Sequence, residues 1–173
     1  MRLWALRLLV TVVAVASISC SAVAEDQMVY AARSTSRFVN LPGLPACMTL
    51  SVQDGNPSKS AAVILAKFAS RCVVPWHWHT ATEHLMMISG LGKGAMKDGS
   101  SVALSAGDYL LLPGKSIHQF HCVTTCTLFL SIAGAFDIHY VDAGGKEIPP
   151  DQALQRKAKD AAPEAGSEMK KAQ

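Results

Sequence analysis

Aromatic residues are scarce in this chain, 6% of 173 residues, and charged residues make up 17%, with a formal net charge of +3. With so few stacking rings and no basic stripe, a nucleic-acid surface is excluded. Also missing is an uninterrupted apolar run of the roughly 20 residues that a bilayer span needs. Cysteines never stand two residues apart from one another, which removes the common zinc modules. A second domain is absent too, because the length left after a leader supports one core and not two.

What is present begins with that leader. Arg2 and Arg7 precede an apolar core from Leu8 to Ile18, and Ala22-Val23-Ala24 closes it with small residues at the cleavage positions. Those three parts in that order describe a secretory signal peptide over residues 1–24, so a periplasmic or secreted protein is expected, with no membrane attachment after cleavage. A lipid anchor on Cys20 is the minor alternative, since the usual aliphatic residue three places before it is Ser17. Arg2 and Arg7 are not a twin-arginine pair, which points to folding and metal loading outside the cytoplasm.

The chemistry is concentrated in His77-Trp78-His79-Thr80-Ala81-Thr82-Glu83. In an extended strand His77 and His79 emerge on one face, about 7 Å apart along the chain, where one ion can bridge them. Thr80 to Thr82 suit a tight turn, after which Glu83 opens the apolar stretch Leu85-Met86-Met87-Ile88 and can swing back beside the imidazoles. Further on stands Gly107-Asp108-Tyr109-Leu110-Leu111-Leu112-Pro113-Gly114-Lys115-Ser116-Ile117-His118.

Together the two segments resemble the paired motifs of the cupin superfamily, G-x5-H-x-H-x3,4-E-x6-G and G-x5-P-x-G-x2-H-x3-N. From His77 to Gly90 the first fits fully. Arg71 stands where it would begin with Gly, Lys115 replaces the inner Gly of the second motif, and Cys122 takes its final Asn position. Gly114, one place early, is expected to supply the turn conformation in place of residue 115. The resemblance covers residues 60–141 and implies an all-β fold, a small antiparallel barrel of jelly-roll type. It also implies that His77, His79, Glu83 and His118 bind one divalent metal.

Three imidazoles and a carboxylate suit Zn, Cu, Fe, Mn or Ni rather than Ca or Mg, which prefer all-oxygen shells. Outside the cytoplasm the order of metal affinities lets Zn and Cu occupy such a site at least as readily as Fe or Mn. Similar cupins include dioxygenases, isomerases and decarboxylases. A metal-dependent oxygenase acting on a small organic substrate is therefore the first functional expectation, and a non-catalytic metal or small-ligand binder the alternative.

Around these motifs short strands recur: 62–68, 74–79, 83–88, 93–96, 101–104, 108–112, 118–122, 128–133 and 136–141, with Lys97-Asp98-Gly99 as a hairpin turn. They define a barrel over residues 61–141, a lead-in arm over 25–60 containing one short strand at Met48–Val52, and an extension over 142–173. That extension is expected to be partly disordered around one helical stretch from Asp151 to Ala162. Four cysteines remain after cleavage, and in an exported protein they read as two disulfides. Cys122 and Cys126 can clip a hairpin turn, leaving Cys47 for Cys72, although spacing alone does not fix the pairing.

With His77 and His79 inward, period two sends Leu85 and Met87 inward with Glu83, and Phe120 inward with His118; these three are expected to line an apolar pocket or simply to fill the core. Trp76, Trp78, Met86 and Ile88 fall outward and call for cover by the arm or by a second subunit, so a homodimer is a candidate assembly. His84 and His121 also fall outward and leave the ligand set. His139 is assigned a structural role.

Overall fold

A computed structural model describes residues 28–160; residues 1–27, the leader among them, and residues 161–173 lie outside the described residues. Alternating apolar and polar positions build ten strands: β1 (Met48–Gly55), β2 (Ala62–Phe68), β3 (Val73–Trp78), β4 (Glu83–Ser89), β5 (Gly92–Met96), β6 (Ser101–Leu104), β7 (Tyr109–Leu112), β8 (His118–Cys122), β9 (Cys126–Ile132) and β10 (His139–Tyr140). One helix, α1 (Pro150–Asp160), follows. The strands pair antiparallel in two five-stranded sheets, ordered β1-β2-β9-β4-β7 and β10-β3-β8-β5-β6. This is the jelly-roll arrangement, with two facing sheets rather than one closed cylinder.

Residues at period two fill the space between the sheets: Leu50, Ile64 and Phe68 from β1 and β2, Leu85 and Leu128 from β4 and β9, Phe120 from β8. Phe68 and Phe120 meet across the core with ring centroids 5.4 Å apart. Each such side chain removed from water contributes about 1.5–3 kcal/mol.

The disulfides Cys47–Cys72 and Cys122–Cys126 are both formed. The second does not clip a hairpin, because β8 and β9 belong to different sheets. It spans the corner between them. Cys47 precedes β1 and Cys72 precedes β3, so this bridge too joins sheet to sheet, at the same end of the sandwich, where the Cys122 N–H donates to the Cys72 carbonyl at 2.8 Å.

Three sequence expectations change in detail. The strand of the arm runs on to Gly55 through a bulge between Val52 and Asp54 and forms the edge of the first sheet. The last strand shortens from 136–141 to His139–Tyr140, because residues before it form a loop with other partners. Gly114 does not adopt a left-handed conformation; Lys115 does so itself, at φ 63°, as does Arg71 at φ 63°. Gly114 is needed for space, since a Cβ there would lie 2.5 Å from the Thr80 carbonyl oxygen.

The outward tryptophans find cover within the sheet rather than under the arm. Trp78 stacks on His139, centroids 3.9 Å apart and rings within 6° of parallel, and Lys97 sits over Trp76 at 5.2 Å. On the outer face of the first sheet Ile88, Tyr109 and Leu111 stay exposed. The helix packs its Ala153 into the core.

Candidate metal centre

β3 is an interior strand, and Pro75 within it lacks the N–H that a ladder requires. The register therefore slips: Val74 faces Phe120 and His77 faces His118, one extra residue lying between. Such a bulge re-aims side chains. Here it frees the Pro75 carbonyl, which accepts a hydrogen bond from His77 Nδ1 at 2.6 Å. At the start of β8 the Ser116 carbonyl does the same for His118 Nδ1 at 2.8 Å. His79, just past β3, gives its Nδ1 to the carbonyl of Asp137, in the loop that the shortened β10 leaves behind.

A carbonyl oxygen only accepts, so all three Nδ1 atoms carry a proton, and in the neutral imidazoles the Nε2 atoms present lone pairs. Those lone pairs converge. The ligand atoms of His77, His79 and His118 lie within 4.8 Å of one another, and all three side chains are buried. His77 Nε2 and His79 Nε2 stand 3.1 Å apart, a contact between two acceptors in the neutral imidazoles that one shared cation would relieve. His118 Nε2 is buried without a hydrogen-bond partner. Nδ1 atoms fixed by the backbone and inward Nε2 atoms, that of His118 without a hydrogen-bond partner, are the donor set a transition metal takes, and the three histidines fit one.

Glu83, at the start of β4, brings Oε2 to 3.6 Å from His79 Nε2 and 3.7 Å from His118 Nε2. Burial opposes its ionisation, yet the facing imidazoles of His118 and His79 outweigh burial and hold the carboxyl below its usual range. The same burial, aided by the repulsion that His118 and His79 would exert if protonated and opposed by the Pro75 carbonyl, keeps the pKa of His77 well below the ordinary imidazole value. A neutral imidazole beside a carboxylate is the state that binds a metal.

The side chains enclose a cavity of about 30 Å³. Of the three expected lining residues, Leu85 and Phe120 form part of its wall. Met87 does not; it is buried farther along β4, where its Cε and the Phe120 ring both approach Gly92. Phe136 and Ile138 complete the wall, and Phe136 packs on the His79 ring with centroids 5.3 Å apart. Nothing in the strand pattern marked them, because they reach the site from a loop. His84 bonds the Tyr109 hydroxyl at 2.5 Å, and His121 sits opposite Val73 and Lys93 in the sheet, so neither joins the cluster.

Comparison with known proteins gives the family and the fold. Residues 26–135 match the ChrR cupin-like domain. The polyketide cyclase RemF of Streptomyces resistomycificus superposes with a TM-score of 0.57 at 18% identity, over 67% of this chain and 87% of that one. An RmlC-like cupin from Shewanella frigidimarina NCIMB 400 gives 0.54 at 17% identity, over 61% and 90%. The DMSP lyase DddQ from Ruegeria pomeroyi DSS-3 gives 0.51 at 17%, over 58% and 57%. At such identities the likeness is one of fold. No curated protein matches the chain.

Proposed function

This chain belongs to the ChrR cupin-like domain family, and on that premise we propose that it is an exported metal-binding cupin. One divalent transition ion, Zn, Cu, Fe, Mn or Ni, is held by His77, His79 and His118, with Glu83 as fourth ligand. The observation that supports this reading is the set of three converging Nε2 lone pairs whose Nδ1 groups are all engaged by backbone carbonyls. Export is supported by the leader at residues 1–24 and by two disulfides that need an oxidising compartment. The exposed Ile88, Tyr109 and Leu111 favour a second copy as partner.

A bound ion would supply Lewis-acid or redox chemistry at the cavity. The chain contributes the rest: Leu85, Phe120 and Phe136 exclude water, and Glu83, the one carboxylate among the described residues lining the cavity, is the group placed to take a proton from a ligand if it leaves the ion. As an enzyme the protein is an oxygenase working on a small organic substrate. A second reading, a binder without turnover, is favoured by the cavity volume of about 30 Å³, room for about one water.

Metal analysis of protein purified from its native compartment should find one ion per chain in the wild type and none retained by His118→Ala. A wild type without stoichiometric metal, or a variant that keeps it, would overturn the site. Oxygen uptake with phenolic or small-acid substrates, measured against the chelated protein, separates the readings: uptake supports the oxygenase and its absence the binder.

A further inference from the structure

The ion cavity has a larger neighbour. Between the arm and the first sheet lies a groove of about 510 Å³ whose walls include Val39, Leu50, Val52 and Ile64. Its volume falls within the range of small-molecule sites, which the ion cavity does not reach. Phe136 lines both. One face of its ring rests near His79, its N–H is held by the Pro57 carbonyl at 2.7 Å at the groove, and the next residue supplies the carbonyl that fixes His79. Among the described residues Phe136 is the one wall residue that the groove and the ion cavity share.

The charge of the groove narrows the ligand. Its neutral polar groups are satisfied locally: Thr35 Oγ1 donates to the Ala32 carbonyl, and Gln53 Nε2 donates to the Ser51 carbonyl and hydroxyl. Arg37 is the one charged residue among the walls, and no carboxylate of the described residues pairs with it. An unpaired guanidinium at the edge of an apolar trough complements a compact anion with an apolar body.

We propose that this groove is the ligand-binding site serving the ion, that its ligand is a small apolar monoanion of the carboxylate class anchored by Arg37, and that Phe136 is the wall controlling its approach to the histidines. That the groove serves the ion and that Phe136 controls the approach rest on the metal reading above; the anion and its Arg37 anchor do not. The site uses residues of the arm, so it is a property of this chain's own lead-in segment and not of the barrel motifs.

The test uses purified protein from expression of the full chain, with benzoate as probe and benzamide as its uncharged counterpart, followed by calorimetry. Benzoate should bind at least about tenfold tighter than benzamide, and Arg37→Gln, at an exposed position, should erase that difference. Val39→Trp should block both probes by filling the groove. Equal binding of the two probes, or affinity unchanged in Arg37→Gln and Val39→Trp, overturns the groove. With cobalt(II) loaded, Phe136→Ala should make the cobalt absorption respond to benzoate more strongly than the wild type does. An indifferent spectrum overturns the role of Phe136. Cobalt that fails to bind at all overturns the metal reading, while the benzoate and benzamide comparison still decides the groove.

Discussion

The two ends of the sandwich are closed in different ways. β3 and β8 both run between them, β3 from Val73, next to Cys72, past His77 to Trp78 and β8 from His118 to Cys122. At one end two disulfides tie sheet to sheet. At the other, buried imidazoles and a carboxylate from three strands point at one another with no covalent link and with lone pairs in contact. A covalently tied end tolerates the cost of an end that gathers polar groups in an apolar interior, a cost that a bound ion would offset.

The largest effect should come from breaking the tied end. Replacing Cys47 and Cys72 by Ala opens a loop with a sequence separation of 25 and should lower stability by about 2–4 kcal/mol, read as a fall in the denaturant midpoint. If the ends are independent, that loss is the same with and without metal. Coupling between them would appear as a difference between the two measurements. Next in size, metal at about a hundredfold over its dissociation constant should stabilise the wild type by about 2.7 kcal/mol in the same assay and leave His118→Ala unmoved.

Each end also holds one residue in a left-handed conformation, Arg71 beside Cys72 and Lys115 near His79, whose carbonyl accepts the Lys115 N–H at 2.7 Å. Left-handed geometry costs a non-glycine residue about 1–2 kcal/mol, and glycine returns part of that gain as chain entropy. Arg71→Gly and Lys115→Gly should each raise stability by about 0.5–1 kcal/mol in thermal unfolding. Loss of metal affinity in Lys115→Gly alone would show that the strain at the ion end serves the site.

The smallest expected effect is electrostatic. Burial works against protonation of His139, but its contacts with Glu147 and Asp137 prevail and raise its pKa. A raised folded-state pKa means that its contribution to stability is full below the unfolded value near 6.5 and fades as pH rises through the folded one. Stability of wild type minus His139→Gln should therefore decline with rising pH across that window. A difference that is flat or grows with pH would refute the assignment.

Much of the ion end was legible in the sequence. His77, His79 and Glu83 announce themselves by spacing, since period two in a strand leaves few other arrangements, and the second motif brings His118 to face them. The carbonyls of Pro75, Ser116 and Asp137 were not legible, because any residue has a carbonyl and only the fold decides where it points. Pro75 was a partial signal, since a proline in an interior strand implies a bulge. Phe136 was read as the start of a strand, and long-range packing against His79 overrides that local preference. Lys115 shows the converse, a motif position whose backbone conformation persists although its glycine does not.

The stack of Trp78 on His139 gives the protein a built-in optical reporter. Beyond the leader the chain has just two indoles, Trp76 and Trp78, both on β3. A protonated imidazole lying flat on an indole quenches its emission, so at a fixed pH the brightness of Trp78 depends on His139 staying in the stack. The loop before β10 carries the carbonyl that orients His79 and the phenyl ring that closes the ion cavity. With Trp76 replaced by Phe, emission from Trp78 would thus report any displacement of His139, at a site that contains no tryptophan.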